Sequence, residues 1–142
     1  MPPRTPVELA IEYFECQVVR RDVARLESLL SPDFEAHTPW GPKSRDEALA
    51  GWAAWMAQID PATTMTVRHV EEISRGGVLI EITAHLRAPP GDPRGDLDLD
   101  VCDVMTIVDG RIAGLRAYFD RTGVEQYYAR RARNAAGAAT AG

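Results

Sequence analysis

Residues 97–119 read LDLDVCDVMTIVDGRIAGLRAYF, and this stretch decides the fold class. Apolar and polar residues largely alternate on both sides of Asp109-Gly110, a dipeptide favoured in two-residue hairpin turns because both positions tolerate positive φ. The stretch therefore predicts two antiparallel strands, near 97–108 and 111–119. Upstream, the same period of two predicts further strands near 63–74 and 78–88. We expect one antiparallel sheet of four strands joined as hairpins.

The first sixty residues favour helices instead. Thr5-Pro6-Val7-Glu8 and Ser44-Arg45-Asp46-Glu47 each fit a capping box, and apolar residues at helical spacing follow both. The first helix is expected to run to about Arg21, and Asp22 can cap a short second helix. The remaining expectations are a brief extended segment near 34–38, a third helix carrying Trp52 and Trp55, and a last helix near 122–133.

The chain has 142 residues, of which 45% are hydrophobic and 26% are charged. This length fits one domain, expected over residues 1–133, with a small, polar and disordered tail over 134–142. Helices followed by antiparallel strands indicate an α+β class, with the helices packed on one face of a strongly curved sheet. Such a sheet encloses a concavity, and concavities of this kind usually bind small molecules.

Charge and composition argue against several classes of partner. The net charge of -5 opposes phosphate binding, so nucleic acid is not expected as a partner. Cys16 and Cys102 do not form a paired spacing, so no disulfide and no metal site is expected. The N-terminus lacks the apolar core of a signal peptide and no stretch has the length of a membrane span, so we expect no membrane association and a cytoplasmic protein.

The hairpin strands also carry a family resemblance. Leu99–Met105, Asp109–Ile112 and Ala117–Phe119 resemble the last two strands of ketosteroid isomerase. Residues 22–34 and 37–41 resemble that family and the wider NTF2-like group, which includes polyketide cyclases, limonene epoxide hydrolase and scytalone dehydratase. The resemblance covers about Val7 to Phe119. It implies an NTF2-like cone, a strongly curved antiparallel sheet wrapped around N-terminal helices and enclosing a pocket.

The resemblance also suggests roles for individual residues. Asp103 matches the family's protonated aspartate, which donates a hydrogen bond to a developing oxyanion. The position of the oxyanion-hole tyrosine holds Phe14, with Tyr13 beside it. The position of the general-base aspartate holds Thr38, and His37 precedes it. Asp103 is therefore the first candidate for a catalytic residue.

The histidines supply candidates for proton transfer, because an imidazole changes charge near neutral pH. Glu81, Thr83 and His85 share one face of a strand by the period-two rule, and the alignment places that face toward the pocket. His85 could then approach Asp103, and His37 would lie at the rim. The alternatives are a solvent-facing His85 and a His37 that only stabilises its turn.

Apolar and aromatic residues complete the predicted site. The residues expected to bind substrate are Phe14, Trp40, Trp55, Glu81, Thr83, Val101, Ala117 and Phe119. Trp40, beside a glycine and two prolines on a loop, is the aromatic residue most expected to touch the ligand.

The predicted function is a cofactor-independent acid–base enzyme that isomerises, cyclises or dehydrates a small apolar carbonyl compound. The first alternative is a binding module of the same fold, and the second is an epoxide hydrolase whose water is held by Asp103 and His85. A homodimer is expected through the outer sheet face, which would carry Asp98, Asp100, Arg116 and Tyr118.

Asp103 also has two opposed electrostatic interpretations. Its neighbours Val101 and Met105 predict an apolar environment, in which desolvation raises the pKa of a carboxyl group. The competing interpretation is an ion pair with Arg87 or Arg116, which would lower the pKa.

Overall fold

The helices begin where the capping residues predict. The structure is a computed structural model that describes residues 4–92 and 95–130. Helix α1, Pro6–Phe14, begins after Thr5, whose hydroxyl accepts a hydrogen bond from the backbone N–H of Glu8 at 3.1 Å. Asp22 caps helix α2, Val23–Leu29, through the N–H of Arg25. Helix α3, Arg45–Met56, has a complete capping box between Ser44 and Glu47.

The end of the first helix differs from the prediction. The α-helix stops at Phe14, and the chain continues to Val19 as a π-helical turn, Glu15–Val19. The backbone N–H of Arg20 donates to the carbonyl of Glu15, five residues earlier, which is the π-helical pattern. The wider turn changes which side chains after Phe14 face the sheet.

Helix α4 occupies residues 121–130, the described part of the predicted last helix. The expected tail, residues 134–142, lies outside the described residues. Within the described chain, no helix combines the length and the apolar character needed to cross a membrane.

The four predicted strands are present and pair as expected. They are β3, Thr64–Ser74, β4, Gly77–Leu86, β5, Leu97–Val108, and β6, Arg111–Phe119. All three neighbouring pairs among them are antiparallel. The β5–β6 turn has φ values of 50° at Asp109 and 75° at Gly110, as the dipeptide predicts.

Two further strands extend the sheet beyond the prediction. Strand β1, Leu30–Thr38, is longer than the expected extended segment, and β2, Gly41–Ser44, was not predicted. The strand order is β2-β1-β6-β5-β4-β3, and β1 pairs parallel with β6. The expectation of a wholly antiparallel sheet is therefore wrong between β1 and β6, although β1 pairs antiparallel with β2. Because residues 39–110 separate β1 from β6, no hairpin forces them to be antiparallel.

The sheet has an apolar concave face and a polar convex face. On β4 the buried concave side carries Ile80, Ile82, Ala84 and Leu86, and α1 and α3 lie on this side. Glu81, Thr83 and His85 do share one face, but it is the convex one. The expectation that they face the pocket is wrong. The alternate residues of β4, which point to the other face, form an unbroken apolar row, and this row packs against the helices.

Candidate active site

A cavity of about 530 Å³ lies between the concave side of the sheet and helices α1, α3 and α4. Its wall is mostly apolar and aromatic, with side chains that include Phe14, Trp52, Trp55, Leu99, Val101 and Phe119. Tyr13 packs edge-on against the ring of Trp52, with centroids 5.5 Å apart, which fixes α1 against α3. The cavity is therefore suited to an apolar molecule with few polar groups.

Asp103 is the buried acid of this cavity. It lies on β5 between its register partners Ile80 on β4 and Ala117 on β6, and it is 2% exposed. Burial raises the pKa of its carboxyl group to about 8. Its Oδ1 is buried and has no hydrogen-bond partner within the described chain. At neutral pH Asp103 is therefore mostly a neutral acid with an unused polar atom on the cavity wall.

Helix α1 and its π-helical extension contribute Tyr13 and Gln17 to the same wall. Burial raises the pKa of Tyr13 well above its usual value, the charge of Asp103 raises it further, and Gln17 opposes both effects. The Tyr13 hydroxyl is thus close to both side chains and stays protonated. It can donate a hydrogen bond to a bound molecule but cannot act as a base near neutral pH.

The mouth of the cavity carries most of its charge. Glu125 Oε1 accepts from the indole Nε1–H of Trp40 at 3.0 Å and from Arg121 Nε at 2.7 Å. Trp40 also packs on Phe119, with ring centroids 5.3 Å apart. These contacts connect the turn between β1 and β2 to α4 and hold Trp40 at the opening.

Glu47 and Lys43 also line the cavity. The Glu47 side chain accepts a hydrogen bond from the backbone N–H of Ser44 at 3.1 Å. This bond, together with a smaller contribution from Lys43, lowers the pKa of Glu47. Glu47 is therefore an ionised carboxylate at neutral pH, bordering an otherwise apolar cavity.

The structure brings most of the predicted substrate-binding residues into the cavity wall. These are Phe14, Trp40, Trp55, Val101, Ala117 and Phe119, together with the predicted catalytic Asp103. Glu81 and Thr83 do not line it. Thr83 donates to Asp100 at 2.7 Å and accepts from Arg68 at 3.0 Å on the convex face.

None of the three histidines lines the cavity. His85 lies on the convex face, where Nδ1 is 2.9 Å from Asp98 Oδ1 and Nε2 is 2.8 Å from Thr66 Oγ1. The sheet separates it from Asp103, so the two residues cannot hold one water molecule between them as the epoxide-hydrolase alternative requires. His37 is exposed on the convex side of β1, beside its register partner Arg116.

The predicted ion pair of Asp103 is also absent. Arg87 pairs with Asp96 and Asp98 instead, and Arg116 is on the convex face. Both arginines point away from the concave side, so neither can form an ion pair with Asp103. The interpretation in which such a pair lowers the pKa of Asp103 is therefore wrong. Within residues 4–92 and 95–130 no group of three or more His, Cys, Asp or Glu side chains is placed to hold a metal ion.

Several polar wall residues were not selected from the sequence, among them Tyr13, Gln17 and Glu47. Tyr13 adjoins the selected Phe14 in the sequence, whereas Gln17 reaches the wall on the π-helical turn, which no local pattern signals. Glu47 was identified only as part of a capping box, which gives no indication that a capping carboxylate also borders a cavity.

A family model described as a SnoaL-like domain matches residues 10–115. No curated protein matched the sequence. Among solved structures, IdmH of Streptomyces antibioticus, which is proposed to be a polyketide cyclase, is 19% identical with a TM-score of 0.71. The match covers 89% of this chain and 99% of IdmH.

Two other solved structures carry different assignments. AclR of Streptomyces galilaeus, proposed to be a hydroxylase, is 16% identical with a TM-score of 0.68, covering 84% of this chain and 92% of its own. A protein of Kribbella flavida proposed to be a ketosteroid isomerase is 17% identical with a TM-score of 0.61, and the match covers 82% of this chain and 78% of that protein. At these identities the similarity shows the fold alone, and one fold hosts several chemistries.

Proposed function

Because the chain belongs to the SnoaL-like domain family, we propose that it is an enzyme that moves a proton on a small apolar carbonyl compound. The observation that carries this proposal is the neutral Asp103, whose Oδ1 has no partner at the wall of an apolar cavity. A buried unsatisfied polar atom costs about 1–3 kcal/mol, a cost that a bound carbonyl group would offset. Isomerisation, cyclisation and dehydration all begin with such a proton transfer.

Asp103 and Tyr13 are the two groups that stabilise the oxygen of the substrate. Both are protonated at neutral pH, because burial raises the pKa of each. A carbonyl oxygen has two lone pairs and can accept one hydrogen bond from each residue. When the carbon next to the carbonyl loses its proton, the negative charge develops on this oxygen, where two fixed donors in an apolar wall stabilise it.

Glu47 is the base in this proposal. Because none of the three histidines lines the cavity, the carboxylates that border it are the remaining acceptors for a proton. Glu47 is ionised at neutral pH, whereas Glu125 is occupied by Trp40 and Arg121. The proton moves from the substrate carbon to the Glu47 carboxylate and returns to a different atom of the substrate, so that no external reactant is needed.

Hydrogen–deuterium exchange of β-tetralone tests the proposal. This bicyclic apolar ketone enolises readily, and proton NMR in D₂O measures the loss of its α protons. We expect the protein to accelerate this exchange well above the rate in buffer. Exchange at the buffer rate, with β-tetralone bound, would contradict the proposal.

Glu47→Gln should lower the exchange rate about a hundredfold or more, the usual contribution of a positioned general base. Glutamine can still accept the capping hydrogen bond, so α3 should begin at the same residue. Asp46→Asn removes the same charge from the same helical turn and serves as the matched control, with unchanged exchange. A Glu47→Gln variant that exchanges β-tetralone as fast as the wild type would exclude Glu47 as the base.

The alternative is a carrier or sensor, in which the polar groups only orient the ligand. It is favoured by one observation, the absence of all three histidines from the cavity lining. A binding protein would take up β-tetralone without exchanging its protons, which separates the two functions in the same experiment.

The expected homodimer stays a prediction. Tyr118 is 55% exposed on the convex face of β6, where a second copy would cover it. Sedimentation equilibrium measures the mass directly, and a monomer at micromolar concentration would contradict the prediction.

A further inference from the structure

The cavity wall contains a second buried polar atom that the proposed reaction does not use. Gln17 is 5% exposed, and its Nε2 has no hydrogen-bond partner within the described chain. Burying an unsatisfied amide costs about 1–3 kcal/mol. Since buried polar groups in native proteins are nearly always paired, this atom requires an explanation.

The backbone conformation at this position provides a second observation. Gln17 is the middle residue of the π-helical turn Glu15–Val19. A π turn is less stable than the α-helix that the sequence would otherwise continue, and such turns are frequent at functional sites. Here the turn brings both Gln17 and Val18 to the cavity wall, above Tyr13 and Phe14 from the preceding turn.

The hydrogen bonds already assigned to the substrate indicate which kind of acceptor is left for Gln17. In the proposed function, Asp103 and Tyr13 donate to one carbonyl oxygen and occupy both of its lone pairs. The Nε2–H of Gln17 is a third donor at the same wall, so it needs a different acceptor. The Tyr13 hydroxyl lies close enough to Gln17 for the amide to lower its pKa, but Nε2 makes no hydrogen bond within the described chain, which leaves the bound molecule as the source of an acceptor.

We propose that Gln17 is a positioning residue that donates a hydrogen bond to a second oxygen of the substrate. The cavity then prefers apolar compounds with two oxygens along one edge over compounds with one. The second contact fixes the rotation of the molecule in the cavity, so that one particular carbon faces the base. This inference rests on the proposed function for the position of the first oxygen.

Two rigid probes that differ by one carbonyl test this preference. Dimethylindanone, with both methyl groups on the carbon beside the carbonyl, cannot enolise toward that carbon. The matching dimethylindanedione has a second carbonyl and cannot enolise either. Calorimetric titration gives the affinity of each probe. For the wild type we expect the dione to bind about tenfold more tightly, since satisfying one buried donor is worth about 1.4 kcal/mol.

Gln17→Met keeps the length of the side chain and removes the donor. In this variant the preference for the dione over the monoketone should fall to about twofold, which is the statistical advantage of a symmetric dione. The affinity for the monoketone should stay within about twofold of the wild-type value. The midpoint of thermal unfolding should be equal or higher, because an unsatisfied buried amide is gone. Asp103→Asn, the matched control, should weaken both probes by a similar factor and leave the ratio near ten.

Three results would overturn the inference. The first is a wild-type ratio of two or less. The second is equal weakening of both probes by Gln17→Met, which would mean that Gln17 only supports the Tyr13 hydroxyl. The third is binding of neither probe, which would overturn the proposed function as well. If the proposed function alone fails, β-tetralone exchanges at the buffer rate while the dione preference still depends on Gln17.

Discussion

Replacing Asp103 with asparagine should lower the exchange of β-tetralone about a hundred- to a thousandfold, the usual effect of removing one oxyanion donor. Asparagine has the same shape, but its amide is a much weaker acid than a neutral carboxyl group. The developing charge on the substrate oxygen therefore receives a weaker hydrogen bond. Proton NMR in D₂O measures the exchange, and urea unfolding should show a stability that is equal to or above that of the wild type.

Asp100→Asn is the matched control for this experiment. It makes the same change on the same strand, but Asp100 alternates to the convex face, where it accepts from Thr83. Its exchange rate should equal that of the wild type. An Asp103→Asn protein that exchanges within about threefold of the wild type would remove Asp103 from the mechanism.

The second large effect is on stability as a function of pH. The carboxyl group of Asp103 has an ordinary pKa of 3.8 in the unfolded chain, and burial raises its pKa to about 8 in the folded protein. Between these values the folded state binds more protons than the unfolded state, so this residue makes stability fall as pH rises. One pKa unit corresponds to about 1.4 kcal/mol, so the full loss is on the order of 5 kcal/mol by about pH 8.

Urea unfolding of the wild type and Asp103→Asn at matched pH values isolates this contribution. Asp98, Glu47 and Glu125 have lowered pKa values and act in the opposite direction, but they are common to both proteins. The variant should therefore gain stability relative to the wild type between about pH 4 and pH 8, and the difference should then level off. Parallel curves across this range would show that Asp103 titrates normally.

Much of the fold could be predicted because local signals agreed with tertiary packing. The helix starts follow from hydroxyl and carboxylate caps, which act within one turn and need no tertiary information. The strands β3 to β6 follow from their period of two and from the Asp109-Gly110 turn. Strand β2 contains Gly41 and Pro42, whose strand propensity is low, and only its pairing with β1 makes it extended.

The site was predicted in part, for a related reason. Asp103 could be identified because it is a carboxylate in the row of alternate β5 residues that is otherwise apolar, between Val101 and Met105. His85 was placed on the wrong face, because a period of two shows which residues share a face but not which face meets the helices. The buried run Ile80, Ile82, Ala84 and Leu86 on the same strand carries that information.

Gln17 could not be predicted, because its position depends on the conformation of the helix. The sequence favours a continuous α-helix to about Arg21, and nothing local signals a π turn at Glu15–Val19. That turn follows from how the helix end packs against the sheet and leads into α2. It is a tertiary effect that overrides the local preference.

The protonation state of Asp103 is the central claim, and carbon-detected NMR of its carboxyl group measures it directly. A titration of the free protein should give Asp103 a pKa of about 8. The signal that disappears in spectra of Asp100→Asn belongs to the outward-facing carboxylate and is not mistaken for that of Asp103. Bound dimethylindanone should raise the pKa further, because the neutral acid donates a hydrogen bond to its carbonyl group. A pKa below about 7 in the free protein would leave Asp103 mostly ionised at neutral pH and would contradict the account.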